Sequence, residues 1–200
     1  MAFWSDPNTV PKRNNRFLVF LGGLKTPSYT AKSVMKPSWS VNNIEHHYLS
    51  HKFNFPGIVT WDPIEMVFVD GGGSLDPSEL PNMVGGQQDN NAKNFYDAIV
   101  DSGYVLPENE SNIKSNVYSK SLAAKTLGQI SVIQIGPAST AGGVAELDRF
   151  TLVNPYIQKV AFGTLAYDNE NITEISVTFQ YDYATFGQGA TILGSQPLFS

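Results

Sequence analysis

Residues 172–183, ITEISVTFQYDY, alternate apolar and polar side chains. Ile175, Val177, Phe179, Tyr181 and Tyr183 fall on one side, and Glu174, Ser176, Thr178, Gln180 and Asp182 on the other. Only an extended strand turns successive side chains to opposite faces, so period two predicts a half-buried strand. Such a strand needs neighbours for its backbone N–H and C=O groups, which commits the chain to a sheet.

Further strands are expected at 16–21, 29–35, 46–55, 58–69, 128–135, 145–153 and 157–162. In 46–55 the alternation sets Leu49, His51, Phe53 and Phe55 against Tyr48, Ser50, Lys52 and Asn54. Pro56-Gly57 predicts a turn, and Asp62-Pro63 a kink or bulge, because proline cannot donate to a ladder. One helix is expected over 92–102, with Phe95, Tyr96 and Ile99 on its stripe and Gly103 as its stop. The domain reading is an N-terminal arm at 1–15, a β domain over 16–183 with a loop insertion at 71–91, and a C-terminal arm at 184–200. The fold class expected is mainly β: an antiparallel barrel or sandwich with one packed α-helix and extended terminal arms.

Charge and composition narrow the function classes. Charged residues make up 16% of the chain, against roughly a quarter in an average soluble protein. A surface short of charge fits one partly covered by neighbours. The formal net charge is −5 and the longest basic cluster is Lys12-Arg13, so tight nucleic-acid binding is not expected. There are no cysteines, which removes disulfides, thiolate metal sites and cysteine nucleophiles. Residues 12–21 run from basic to apolar, but the apolar stretch stops at Gly22-Gly23. Neither a secretory leader nor a membrane span is expected.

Motifs for chemistry are weak. His46, His47 and His51 are all the histidines. In a single strand, His47 and His51 would lie about 13 Å apart, too far for one metal ion. Asp70-Gly71-Gly72-Gly73-Ser74 lacks the Gly-Lys-Ser/Thr of a phosphate loop and the alternating acids of a calcium loop. The carboxylate pairs Glu146/Asp148 and Glu108/Glu110 are sequence neighbours, which does not make a convergent cleft. Asn109 and Asn171 head glycosylation triplets that carry little weight without a secretion signal. No enzyme, cofactor or metal is expected.

Two stretches carry a resemblance. Phe150 to Tyr183 holds Asn154-Pro155, the linker Asp168-Asn169-Glu170-Asn171, and the strand Glu174 to Tyr183 of form Glu-Ile-x-Val-x-Phe-x-Tyr-Asp-Tyr. Ser50 to Asp70 holds a strand, a Gly-centred turn, a Trp-Asp bend and a strand ending in Asp. Together they resemble the tail tube proteins of contractile-tailed bacteriophages. The chain departs from the simplest members in its 71–91 insertion and its arm after Tyr183.

The resemblance implies a virion structural protein of the phage tail, assembled in the host cytoplasm. Six subunits would join their sheets into a ring with a continuous inner β-barrel, satisfying edges that otherwise invite aggregation. Rings would stack head to tail. Implied partners are further copies of itself and the tail sheath, baseplate, tape-measure and tube-terminator proteins, with no membrane partner. Double-stranded DNA would pass without specific binding through an acidic, polar bore. Glu174, Thr178, Gln180 and Asp182 are the lumen-facing candidates. Trp39, Asn43, His46 and His47, in a turn region near 36–47, are the inter-ring candidates, together with the two terminal arms. Alternatives are a baseplate tube-initiator or tube-terminator protein, the inner tube of a related contractile injection system, or a small β-barrel binding module.

Overall fold

The computed structural model describes residues 11–24, 26, 28–71, 90–108, 112, 117–138, 144–168, 170–187 and 191–192. Two antiparallel sheets face each other. In the first, β1 (Phe17–Leu21) pairs with β6 (Ile130–Ala138), β6 with β7 (Val144–Val153), and β7 with both β10 (Tyr183–Gly187) and β11 (Thr191–Ile192). In the second, the order is β2 (Ala31–Val34), β5 (Ile64–Val69), β9 (Glu174–Gln180) and β8 (Tyr156–Ala161). A third ladder joins β3 (Trp39–Tyr48) to β4 (His51–Trp61).

Alternation in the sequence becomes the core. The first sheet contributes Val19, Leu21, Ile130, Val132 and Leu152; the second contributes Ile64, Met66, Phe68, Ile175, Val177 and Phe179, all buried. Met66 sits opposite Val177, and Phe68 opposite Ile175. Each large side chain so enclosed is worth about 1.5–3 kcal/mol of transfer free energy.

Two helices complete the enclosure. In α1 (Asn91–Asp101), the Asn90 side chain accepts from the Lys93 N–H at 2.8 Å, an N-cap, and Phe95 meets Phe68 with ring centroids 5.2 Å apart. Asn91 Nδ2 donates to the Val69 carbonyl at 2.8 Å, fixing α1 to the end of β5. The second helix, α2 (Lys120–Leu127), starts at an Ser119 N-cap, ends at Gly128 with φ of 60°, and buries Ala123 and Leu127. It was not expected from the sequence, where one helix was read.

Several expected boundaries move. The stretch 172–183 is two strands: β9 ends at Gln180, and β10 begins at Tyr183 in the other sheet. The Asp182 N–H already donates to the Val153 carbonyl of the first sheet. Tyr183 therefore leaves the apolar face and is exposed. Past it, β10 and β11 pair with β7, so residues 183–187 and 191–192 belong to a sheet and not to a free arm. Most of the 71–91 insertion, 72–89, lies outside the described residues, as do 1–10 and 193–200 of the arms.

The expected strand 46–55 is the end of a hairpin. The chain reverses at Leu49-Ser50, with Leu49 at φ of 54°. Tyr48 faces His51, so Tyr48, His51, Phe53 and Phe55 share a face. Pro56-Gly57 makes no turn; both residues lie inside β4. Asn42 stands opposite two residues, Gly57 and Ile58, a bulge. A Cβ on Gly57 would lie 2.9 Å from the Asn42 carbonyl oxygen, so glycine lets the strands approach there. The break at Asp62-Pro63 is as expected, and Ser38 ties it: its carbonyl accepts from the Asp62 N–H and its hydroxyl donates to the Asp62 carboxylate, both at 3.0 Å.

Candidate assembly surface

The β2/β5 and β3/β4 ladders form one long ribbon. Ser33 pairs with Val67, Val34 with Met66, Trp39 with Trp61 and Val41 with Val59, one unbroken register across the Asp62-Pro63 break. The root of this ribbon is part of the second sheet, and β3 and β4 continue beyond it. Ten residues of strand extend about 33 Å at 3.3 Å each. Every residue of β3 is exposed, and so is β4 apart from Gly57 and Trp61.

Past the bulge the hairpin is two-faced. One face carries Asn43, Glu45 and His47 opposite Pro56, Asn54 and Lys52. Its polar groups pair among themselves: Asn43 Nδ2 donates to Asn54 Oδ1 at 3.1 Å, and Lys52 Nζ meets Glu45 Oε2 at 2.6 Å. His47 Nε2 lies 3.7 Å from the same Glu45 oxygen. The other face carries Ile44, His46 and Tyr48 opposite Phe55, Phe53 and His51. His51 stands edge-on to Phe53 with centroids 4.8 Å apart. This second face holds no carboxylate, lysine or arginine, and Ile44, Tyr48, Phe53 and Phe55 are 45–64% exposed. A scattered exposed apolar residue is ordinary; a contiguous patch marks an interaction site.

The inter-ring candidates divide accordingly. Trp39, Asn43 and His47 lie on the polar-tipped face, while His46 lies on the apolar one. The turn expected near 36–47 is strand β3 itself. Sequence reading missed Ile44, Tyr48, Phe53 and Phe55 as one surface, because the reversal at Leu49-Ser50 carries no glycine or asparagine to announce it.

A second apolar surface lies in the β8–β9 connection. Leu165, Tyr167 and Ile172 are exposed beside a cleft of about 580 Å³.

The lumen candidates also divide. Glu174, Thr178 and Gln180 share the half-buried outer face of β9. Thr178 is flanked by Glu65 on β5 and Lys159 on β8, and Lys32 makes an ion pair with Glu174. The face thus holds two acids, Glu65 and Glu174, and two bases, Lys32 and Lys159. It is polar and balanced, where the strand alone read as acidic; the bases come from strands distant in sequence. Asp182 is off this face, at the corner between sheets, where Lys120 pairs with it and Asn154 Nδ2 donates at 2.9 Å. These hydrogen bonds, Lys120 first, hold its carboxyl below the ordinary range.

Among the described residues, ladder edges remain open. β2 and β8 end the second sheet, and β1 and β10 end the path through the first. Among the described residues no cluster of three or more histidine or acidic side chains could hold a metal, and no helix is long and apolar enough to cross a membrane.

Neither a protein-family model nor a curated protein sequence matches the chain. Solved structures do. A chain of the sheath–tube complex of an extracellular contractile injection system (PVC), in its extended state, superposes with a TM-score of 0.55 at 16% identity, covering 90% of this chain and 94% of that one. A chain of the anti-feeding prophage baseplate gives 0.55 at 10% identity, covering 90% and 97%. The tube-terminating cap of the same prophage gives 0.54 at 16%, covering 94% and 99%. The chain shares its fold with these chains of contractile injection particles.

What these structures share with it, at such identities, is the backbone arrangement. The superpositions cover 94–99% of each of these matched chains. The expected antiparallel β architecture stands. A second helix is added to it.

Proposed function

We propose that this chain is a structural subunit of the tube of a contractile injection machine, catalytically silent, which assembles with copies of itself into stacked rings. The supporting observation is the shared fold, matched over nine-tenths or more of both partners by chains from a sheath–tube complex, a baseplate and a cap. The open edges of both sheets supply the means of lateral joining, since edge N–H and C=O groups are satisfied by a neighbour's strand. The projecting hairpin and the β8–β9 cleft, with its mixed polar and apolar lining, supply unlike surfaces on one chain. Unlike surfaces in contact make a heterologous interface, which repeats head to tail.

In this reading the face bearing Glu174, Thr178 and Gln180 lines the bore. A polar surface with balanced charges offers neither a basic track for phosphates nor an apolar one for protein cargo. Trp39, Asn43, His46 and His47 contact the adjacent ring through the hairpin. Sheath and baseplate proteins are the partners, and the particle is a phage tail that conducts DNA. A baseplate or cap position in the same machine is the second reading, favoured by the likeness to those chains. Negative-stain microscopy of the purified protein tests the proposal. Hollow tubes are expected for a tube subunit and single rings for a cap or baseplate ring. A protein that stays monomeric at high concentration would refute both.

A further inference from the structure

All three histidines of the chain lie within six residues, at the tip of the projecting hairpin. Two of them, His46 and His51, sit on the apolar face among Ile44, Tyr48, Phe53 and Phe55. His46 is opposite Phe53, and His51 is opposite Tyr48 and edge-on to Phe53. The third, His47, lies on the other face beside Glu45 and opposite Lys52. Because β3 and the tip of β4 are exposed throughout, the groups facing these rings come from the hairpin itself. His46 and His51 have no carboxylate on their own face to pair with.

We infer that the apolar face of the hairpin docks onto a second copy of this chain, and that protonation of His46 and His51 releases it. The inference rests on the self-assembling reading above. The area argues for the occupant. An aromatic side chain covers about 150–250 Å², so four half-exposed apolar residues leave roughly 400 Å² to be covered, or about 800 Å² counting both partners. A stable pair of proteins buries about 1,200–2,000 Å². One hairpin falls short of holding a lone partner, but a ring presenting several hairpins at once to the next ring does not. The face therefore suits a repeated copy, whose contacts add.

The same face makes the contact sensitive to protons. Histidine is the side chain whose charge changes between about pH 5 and 8. Covering an imidazole with apolar surface disfavours its charged form. Docking takes the neutral rings, is at full strength above the titration range, and weakens as pH falls through it.

The test is the critical concentration for assembly, measured by sedimentation and microscopy from pH 8 to pH 5.5. Wild type and His46→Gln/His51→Gln are compared, with the melting temperature of the unassembled chain followed at each pH as a check on folding. The wild-type threshold is expected to rise at least tenfold at pH 5.5, and the double variant to lose most of that rise. Tubes whose wild-type threshold ignores pH, or a double variant with the full wild-type pH dependence, would overturn this inference and leave the assembly reading intact. No assembly at any pH would overturn both.

Discussion

Removing the same ring from two places should separate folding from assembly. Phe179 is fully buried in β9, between Ile64 on one neighbouring strand and Ile157 on the other. Phe55 is 53% exposed on the apolar face of the hairpin. Phe179→Ala loses the transfer free energy of the ring and leaves a cavity, about 3–5 kcal/mol together. For a chain of this size each kcal/mol lowers the melting temperature by about 2–4 °C, so the expected drop is roughly 6–20 °C. Phe55→Ala removes a ring that touches little in the single chain, and its melting temperature should move by less than about 2 °C. Half of a phenylalanine's burial energy, about 1 kcal/mol, is instead lost on docking, which raises the critical concentration roughly fivefold. Thermal melting of the unassembled chain and sedimentation of assembled material read the two effects separately. Equal melting shifts in both variants would refute the division of this molecule into a core and a projecting contact arm.

Other expectations follow from particular contacts. Gly57→Val forces a branched side chain against the Asn42 carbonyl at the bulge; assembly should fail while the unassembled chain melts within a few degrees of wild type. Lys12 reaches the nearly buried Asp148 carboxylate with contacts of 2.6 and 2.7 Å, so Lys12→Met should destabilise by about 1–3 kcal/mol in urea unfolding, and adding Asp148→Leu should restore much of the loss. Among the described residues the buried Tyr181 hydroxyl has no hydrogen-bond partner, and burial, helped by Asp62, pushes its phenol up to about 12. Its neutral form is favoured by folding, so stability is full below about pH 10 and falls as pH rises toward 12, by up to about 1.4 kcal/mol per pH unit. Tyr181→Phe should remove that alkaline slope from unfolding curves without destabilising the protein at pH 7.

Local patterns carried the strands, and long-range pairings carried what they missed. Ile175, Val177 and Phe179 were legible because a buried face imposes period two on consecutive residues. Tyr183 kept the period but left the face, because alternation continues through a corner that changes sheets. The hairpin reversal hid in the same way: on either side of Leu49-Ser50 the residues alternate. Helix α2 has its signals, Ser119 at the start and Gly128 at the end, yet its buried stripe is only Ala123 and Leu127, too short to stand out. Lys32 beside Glu174 was beyond any local reading, since the two are 142 residues apart.

The corner at Tyr181-Asp182 has a mechanical consequence. Strand β9 is interior to the second sheet, strand β10 is hydrogen-bonded to β7 in the first, and two residues of backbone join them. Tension applied to either layer reaches the other through covalent bonds, with Lys120 and Asn154 bracing the joint through Asp182. A cylinder of such subunits, driven lengthwise through a barrier, would transmit thrust through both of its walls together and resist shear between them.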